Sequence, residues 1–214
     1  RREFIHFGMP QLPGVVFNAF QGQMLVFLIA LFGTTTALAD IGAVGRLAQL
    51  YAFVSPLMTW IVQPYFARIT ANEVPRGFSQ CCVLGFGALL LGVVAAMICP
   101  TPLLWLLGPH YHHMRAEVVL YLTATSLGVC QSFLGAMSSA RRWVFYDMSF
   151  WYAGLTMAAQ ALALYICDLS QPRGVIIVMC YGNAGGLIAC VIAAARGLRK
   201  NSMLQQCTDV LSRD

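Results

Sequence analysis

Long apolar runs alternate with short polar segments along the whole chain. A helix needs about 20 mostly apolar residues to cross the hydrocarbon core of a bilayer, and six runs have roughly that length. Their bounds are 12–32, 42–65, 81–100, 117–138, 148–167 and 175–196. The pattern therefore predicts an all-α, polytopic membrane protein with six transmembrane helices.

The composition agrees with this pattern. Of the 214 residues, 59% are hydrophobic and only 10% are charged, whereas soluble domains carry about 25% charged residues. The six runs take up most of the chain, so the loops are too short to hold a separate soluble domain. We expect one transmembrane unit over residues 1–200 and a short cytoplasmic tail at 201–214 that frays at the surface.

Basic residues cluster at alternate ends of the predicted helices. With the N-terminus placed inside, ten of the 13 lysines and arginines fall on the inner side. These ten are Arg1, Arg2, Arg68, Arg76, Arg141, Arg142, Arg196, Arg199, Lys200 and Arg213, and the outer three are Arg46, Arg115 and Arg173. The asymmetry predicts that both termini are cytoplasmic. Because topology accounts for the net charge of +5, no nucleic-acid partner is expected.

Two predicted helices carry stripes of small residues at three- and four-residue spacing. The fourth has Gly128, Ser132, Gly135 and Ser139, and the sixth has Gly182, Gly186, Ala189, Ala193 and Gly197. Small side chains let another helix approach closely, so we expect both stripes to be packing faces. Between these helices, four aromatic residues are predicted to form an interfacial belt: Trp143, Tyr146, Trp151 and Tyr152.

The second predicted helix has a polar stripe. Arg46, Gln49, Trp60 and Gln63 fall within roughly a third of the helical circle, although two prolines in the same stretch can distort that alignment. A cation that faces lipid is expensive, so the stripe is predicted to face protein or water. The alternative is that Arg46, about one turn inside the helix, reaches the interface or pairs with an aspartate.

The first predicted helix carries three polar residues. Asn18 and Gln21 share a face by their three-residue spacing, whereas Gln23 does not. Two interpretations stay open for this face. It can form hydrogen bonds to another helix, or it can line a polar cavity.

Histidine and cysteine are the candidate metal ligands. His110, His112 and His113 are adjacent in one loop, and the fourth histidine is predicted on the opposite side of the membrane. Zinc needs three or four convergent ligands, so we predict no metal site and favour a protonatable cluster at the surface. Seven of the eight cysteines lie in apolar runs without a Cys-x-x-Cys pair, which favours small packing residues over a redox framework.

Five segments carry a family resemblance. They are FGMPQLPG at 7–14, ALADIGAVGRLAQL at 37–50, QPYFARI at 63–69, LLWLLGPHY at 103–111 and YGNAGG at 181–186. In their order and spacing the chain resembles the C-terminal half of oligosaccharide-lipid flippases of the multidrug/oligosaccharidyl-lipid/polysaccharide exporter superfamily, which includes O-antigen and exopolysaccharide translocases. The resemblance implies one six-helix lobe of a two-lobe transporter, with a second lobe as partner.

The resemblance also implies a function, namely flipping a lipid-linked oligosaccharide across a bacterial inner membrane. Arg46 is then the candidate for binding the pyrophosphate or an acidic sugar, because its planar fork of donors suits phosphate. Gln49, Gln63, Asn18 and Gln21 are the candidates for binding hydroxyl groups. No enzymatic activity and no cofactor are expected, since no nucleophile constellation or phosphate-binding loop is present. The alternative is a non-transporting six-helix scaffold or truncated subunit of a polysaccharide assembly system.

Overall fold

The computed structural model describes residues 9, 12–32, 35–108, 111, 114–143, 146–169 and 171–211. Within these ranges the chain is helical apart from short turns, and no strand occurs in them. The helices are α1 (Leu12–Phe32), α2 (Thr35–Ala52), α3 (Val54–Arg68), α4 (Val74–Ile98), α5 (Thr101–Leu107), α6 (Arg115–Ala140), α7 (Tyr146–Ile166) and α8 (Pro172–Leu211), with a 3-10 turn at Ala71–Glu73. The all-α prediction is confirmed.

Among the described residues, three helices are long and apolar enough to cross a membrane. They are Val74–Ile98, Arg115–Ala140 and Pro172–Met203, and they overlap the third, fourth and sixth predicted spans. Helices α1 and α7 have 21 residues each, and their bounds match the predicted spans 12–32 and 148–167 within a residue or two. The positions of these two helices are confirmed, while their crossing of the membrane stays a prediction.

Two helices, α2 and α3, lie where the sequence predicts a single second span at 42–65. The helical ladder continues as far as the Phe53 amide, which donates to the Gln49 carbonyl at 3.1 Å, and α3 then begins at Val54. Proline explains this break, because Pro56 has no N–H to donate to the Ala52 carbonyl and its ring crowds that oxygen. The polar segment predicted between the first two spans is also helical, from Thr35 onward.

Two further boundaries differ from the prediction. Helix α4 begins at Val74, seven residues before the predicted run, and ends at Ile98. A proline lies in its first turn, where a missing N–H costs nothing. Helix α8 continues through Leu211, and the prediction of a frayed tail from residue 201 is wrong for this part. Its 40 residues span about 60 Å, at 1.5 Å per residue.

Helix α6 is the centre of the packing, and it contacts α2, α3, α4 and α8. Two apolar clusters surround its two ends. One, here the Met114 end, joins Met114 and Val118 to Val44 of α2 and Leu104 of α5. The other, here the Trp143 end, joins residues of α3, α4, α6 and α8 around Trp143. The ends of α3 and α6 therefore lie together with the starts of α4 and α7.

The described basic residues separate between these two ends. Arg68, Arg76, Arg141, Arg142 and Arg196 lie at the Trp143 end, where Arg196 pairs with Asp147 at 2.7 Å. At the Met114 end the Arg173 Nε atom lies 2.5 Å from an oxygen of Glu117. This segregation is the one that the topology prediction requires. Which end faces the cytoplasm stays a prediction.

Helices α7 and α8 approach each other through glycine. A methyl group added at Gly185 would lie 2.7 Å from the Leu155 backbone carbonyl oxygen, and one added at Gly182 would lie 2.6 Å from the Gln160 side chain. The small-residue stripe on α8 is thus confirmed as a packing face at Gly182, while Gly185 is a further contact that the predicted stripe did not include. Gly185 meets rigid backbone, which cannot move aside as a flexible side chain can.

The contact at Gly185 gives a stability test. We expect Gly185→Ala to destabilise the protein by about 1–3 kcal/mol, because an overpacked interface must shift backbone. Its thermal unfolding in detergent should then occur several degrees lower, at roughly 2–4 °C per kcal/mol for a chain of this size. Gly154→Ala on the facing helix is the control, since its added methyl group meets nothing within 4 Å. Equal unfolding temperatures for the two variants would contradict this account of the packing.

The two ion pairs give a second test. Glu117 has a side chain only 12% exposed, and its Oε2 atom is buried without a hydrogen-bond partner in the described part of the chain. Arg173→Gln is therefore expected to cost about 1–3 kcal/mol, because it leaves a buried carboxylate without its counter-charge. Asp147 and Arg196 are about half exposed, so Arg196→Gln should cost under about 1 kcal/mol. Unfolding curves in detergent that show a larger loss of stability for Arg196→Gln than for Arg173→Gln would refute this account of the two ion pairs.

Candidate functional site

A polar groove lies between α1, α6, α7 and α8, towards the Trp143 end. Its volume is about 350 Å³, and fifteen residues line it. We call it the polar groove, because seven of its lining residues carry amide or hydroxyl groups. These are Asn18, Gln131, Ser132, Ser138, Ser139, Ser149 and Tyr152.

Small residues create the space. On α6 the predicted stripe divides in two: a methyl group at Gly128 would contact the Asn183 side chain at 3.4 Å, whereas one at Gly135 would meet nothing within 4 Å. Gly135, Ser132 and Ser139 line the groove instead of packing. The packing prediction is therefore confirmed at Gly128 and wrong at Gly135, where no neighbouring helix fills the space.

A hydrogen-bond network crosses the groove and connects three helices. The Gln131 side-chain amide of α6 donates to the Tyr152 hydroxyl oxygen of α7. The same hydroxyl donates to Oδ1 of Asn18 on α1 at 2.6 Å. Phe17 packs edge-on against the Tyr152 ring, with centroids 5.8 Å apart. The network fixes three polar side chains in one place, which is the arrangement that a ligand site requires.

The groove carries no charged side chain among the lining residues that the structure describes. It extends along the bundle, because Gln131 lies nine residues before the end of α6, or about 14 Å along the helix axis. A groove with uncharged polar side chains set in a mostly apolar lining thus runs inward from the Trp143 end. Its amides and hydroxyls can both donate and accept hydrogen bonds.

The end of α6 forms the rim of the groove. The Trp143 amide donates to the Ser138 carbonyl at 2.8 Å, and the Arg142 amide donates to the Ser139 carbonyl at 3.1 Å. This pair of bonds is a Schellman motif, which requires a left-handed residue between helix and exit. Arg142 takes that position with φ of 57°, although glycine is the residue that adopts it without strain. Its side chain is exposed.

Arg141 and Arg142 have different environments. The Arg141 guanidinium donates to the carbonyl of Ile69 at the end of α3 and lies 5.4 Å from the centre of the Phe66 ring. Burial lowers the pKa of Arg141, although a guanidinium remains protonated at neutral pH. A cation at a helix C-terminus is favourable. Arg141 therefore fastens α3 to α6, while the Arg142 side chain stays exposed.

The five residues predicted to bind substrate do not come together in the polar groove. Asn18 lines it and also bonds to another helix, so both interpretations of the first helix apply. Gln21 and Gln63 are half-buried on α1 and α3. Arg46 and Gln49 are exposed on α2, away from the packed face that Val44 marks. The binding roles of these four residues stay predictions.

Two residues of the network were not predicted as site residues. These two are Tyr152 and Gln131. Tyr152 and Trp143 were both predicted to belong to an interfacial belt. Tyr152 is instead half-buried in the groove, and Trp143 is 9% exposed and packs against Phe66. Trp151 is exposed, as the belt prediction requires. Gln131 lies between Gly128 and Gly135 at three- and four-residue spacing, so a polar residue within a small-residue stripe was the available signal.

Histidine and cysteine are the remaining candidate ligands, here for a metal ion. His110, His112 and His113 lie outside the described residues. Within the described ranges no three histidine, cysteine or acidic side chains converge as metal ligands. Seven cysteines are free thiols, and Cys81, Cys82 and Cys190 belong to the apolar cluster at the Trp143 end. For these three the prediction of a packing role is confirmed.

The described part of the chain is thus all-helical, with three helices long and apolar enough to cross a membrane and a groove lined by uncharged residues. No protein-family model matches the chain, nor does any curated protein or solved structure. The resemblance to oligosaccharide-lipid flippases therefore stays a prediction.

The left-handed residue at the rim can be tested by substitution. Arg142→Gly should be more stable than Arg142→Ala by about 1 kcal/mol, because an L side chain is strained in this conformation. Both variants remove the same charge, so their difference isolates the backbone effect. Thermal unfolding in detergent measures it, and an alanine variant as stable as the glycine variant would show that the turn does not hold this conformation.

Proposed function

We propose that the chain is one six-helix lobe of a transporter that moves a lipid-linked oligosaccharide across the bacterial inner membrane. In this proposal the six predicted spans cross the bilayer, and both termini and the Trp143 end face the cytoplasm. The substrate enters from the inner leaflet. The proposal combines the family resemblance with one structural observation, the polar groove.

The polar groove supports the proposal because an oligosaccharide headgroup inside the membrane needs hydrogen-bond partners. Its hydroxyl groups lose their hydrogen bonds to water in hydrocarbon, and each loss costs free energy unless a partner replaces it. Asn18, Gln131 and Tyr152 present amide and hydroxyl groups among apolar helices. The groove opens towards the end where arginines of the described chain collect, among them Arg142, Arg196 and Arg199, and these suit the anionic linker of such a lipid.

A second lobe is part of the proposal. Arg46 and Gln49 are exposed on α2, and a cation on a membrane helix is costly against lipid. Another lobe or a second copy would cover this face and enclose a hydrated cavity. Arg46 would then bind the pyrophosphate, and Gln49, Gln63 and Gln21 would bind hydroxyl groups, as the resemblance implies.

Translocation can be measured in vesicles. The protein as encoded, with any membrane chain that copurifies, is reconstituted into liposomes that contain a fluorescent polyprenyl-diphosphate-linked disaccharide, and dithionite quenching reports the outer leaflet. We expect quenching to become faster and more complete than in protein-free liposomes. Arg46→Ala should slow it at least about tenfold if the arginine meets the diphosphate. Arg115→Ala is the control, since Arg115 is exposed at the Met114 end. Quenching equal to that of empty liposomes would refute the proposal.

The length of α8 favours a second candidate function. An α8 of about 60 Å is twice the roughly 30 Å of a hydrocarbon core, so a helix that crosses the bilayer also projects beyond it. A projecting helix suits a scaffold that assembles other subunits of a polysaccharide system. Copurification of a partner that is lost when the chain is cut after Asn201, together with unaccelerated quenching, would favour the scaffold.

A further inference from the structure

We infer that the polar groove binds an uncharged saccharide unit and that Arg142 at its rim binds the phosphate attached to that unit. This inference rests on the proposed function and names the part of the substrate that this groove takes. It concerns a site distinct from Arg46, which lies on the exposed side of α2.

The chemistry of the lining selects an uncharged ligand. Amides and hydroxyls bind sugar hydroxyl groups through both donors and acceptors. A carboxylate or ammonium group would find no counter-charge among the described lining residues, and burying it unpaired would be costly. The apolar part of the lining includes Val15, Met148 and Ala189. It suits the C–H faces of a sugar ring, as in ligand pockets that are mostly apolar with a few placed polar groups.

Hydrogen bonds between protein side chains hold the network together. Tyr152 holds Asn18 and Gln131 by its single hydroxyl and contacts Asn18 through Oδ1, so this bond does not use the amide protons of Asn18. Ser138 also lines the groove although it is only 9% exposed. A volume of about 350 Å³ is at the small end of the range for ligand pockets. The groove therefore suits a terminal or linker-proximal sugar unit and not a long chain.

Arg142 supplies the charge that the groove lacks. Its neighbours Ser139 and Trp143 both line the groove, and its own side chain is exposed at the rim. A non-glycine residue held in a left-handed conformation is strained, and such strain collects at functional sites. Arg141 cannot fill this role, because it already binds the Ile69 carbonyl and packs over Phe66. Only Arg142 of this pair is free to meet a phosphate.

Binding to three lipids tests both parts of the site. The protein in detergent micelles is titrated calorimetrically with polyprenyl diphosphate, with polyprenyl-diphosphate-linked N-acetylglucosamine and with the same lipid bearing glucuronic acid. We expect the N-acetylglucosamine lipid to bind at least about fivefold tighter than the lipid without sugar, from a few added hydrogen bonds. The glucuronic acid lipid should bind less tightly than the N-acetylglucosamine lipid.

Two variants separate the two roles. Tyr152→Phe removes only the hydroxyl that centres the network, and it should reduce the preference for the sugar-bearing lipid about threefold or more while leaving the affinity for plain polyprenyl diphosphate unchanged. Arg142→Gln should instead weaken all three lipids by a similar factor. Tyr165→Phe, at an exposed tyrosine of the same helix, and Arg199→Gln, at an exposed arginine of α8, are the matched controls. Asn18→Ala repeats the first test at an exposed position of α1, should Tyr152→Phe fail to fold.

The results can overturn the inference independently of the proposed function. Equal affinities for the plain and sugar-bearing lipids, an unchanged preference in both Tyr152→Phe and Asn18→Ala, or tighter binding of the glucuronic acid lipid would each refute it. If the preference and its loss appear while vesicles show no translocation, the groove stands as a sugar site and the transport proposal fails. If translocation occurs with no such preference, the transport proposal stands and the inference fails.

Discussion

Close approach between helix backbones is the constraint on which the rest of this structure depends. Apolar surfaces gain little by leaving lipid for protein, so helices in a membrane associate through tight packing and interhelical hydrogen bonds. Gly182, Gly185 and Gly186 bring α8 against α6 and α7, where added methyl groups would come within 3 Å of neighbouring atoms. The polar cross-links follow from this approach, since Asn183 reaches the Ala124 carbonyl across it at 2.8 Å.

The polar groove is the other consequence of the same small residues. At Gly128 a neighbour fills the space that the missing side chain leaves, while at Gly135 nothing fills it. One stripe on α6 therefore packs along one part and leaves a cavity along the other. The Gln131–Tyr152–Asn18 network sits where these two parts meet, so the packing that holds the helices together also fixes the geometry of the groove.

The apolar runs of the sequence predicted the positions of the helices well, but they predicted poorly the residues at which the helices begin and end. Helix α4 starts at Val74 because backbone hydrogen bonds and a first-turn proline set its start, although Arg76 and Gln80 are polar. The break at Phe53 depended on one proline, and of the two prolines in that stretch Pro64 lies inside α3 without ending it. The groove was less accessible to sequence reasoning. Tyr152 meets Asn18 across 134 positions of the chain, and no local pattern on either helix encodes that meeting.

If the groove binds an anionic lipid as proposed, an uncharged lining suits that lipid better than a charged one. A guanidinium deep in the groove would lose its hydration without a paired carboxylate nearby, which is costly. It would also hold the phosphate of the substrate at one position on the transport path. Arg142 instead keeps its charge at the rim, where water still reaches it, while Arg141 is taken up in fastening α3 to α6. In the proposed site such a division would let the rim attract the phosphate and leave the interior to recognise hydroxyl groups, whose individually weak hydrogen bonds would be exchanged as the substrate moves on.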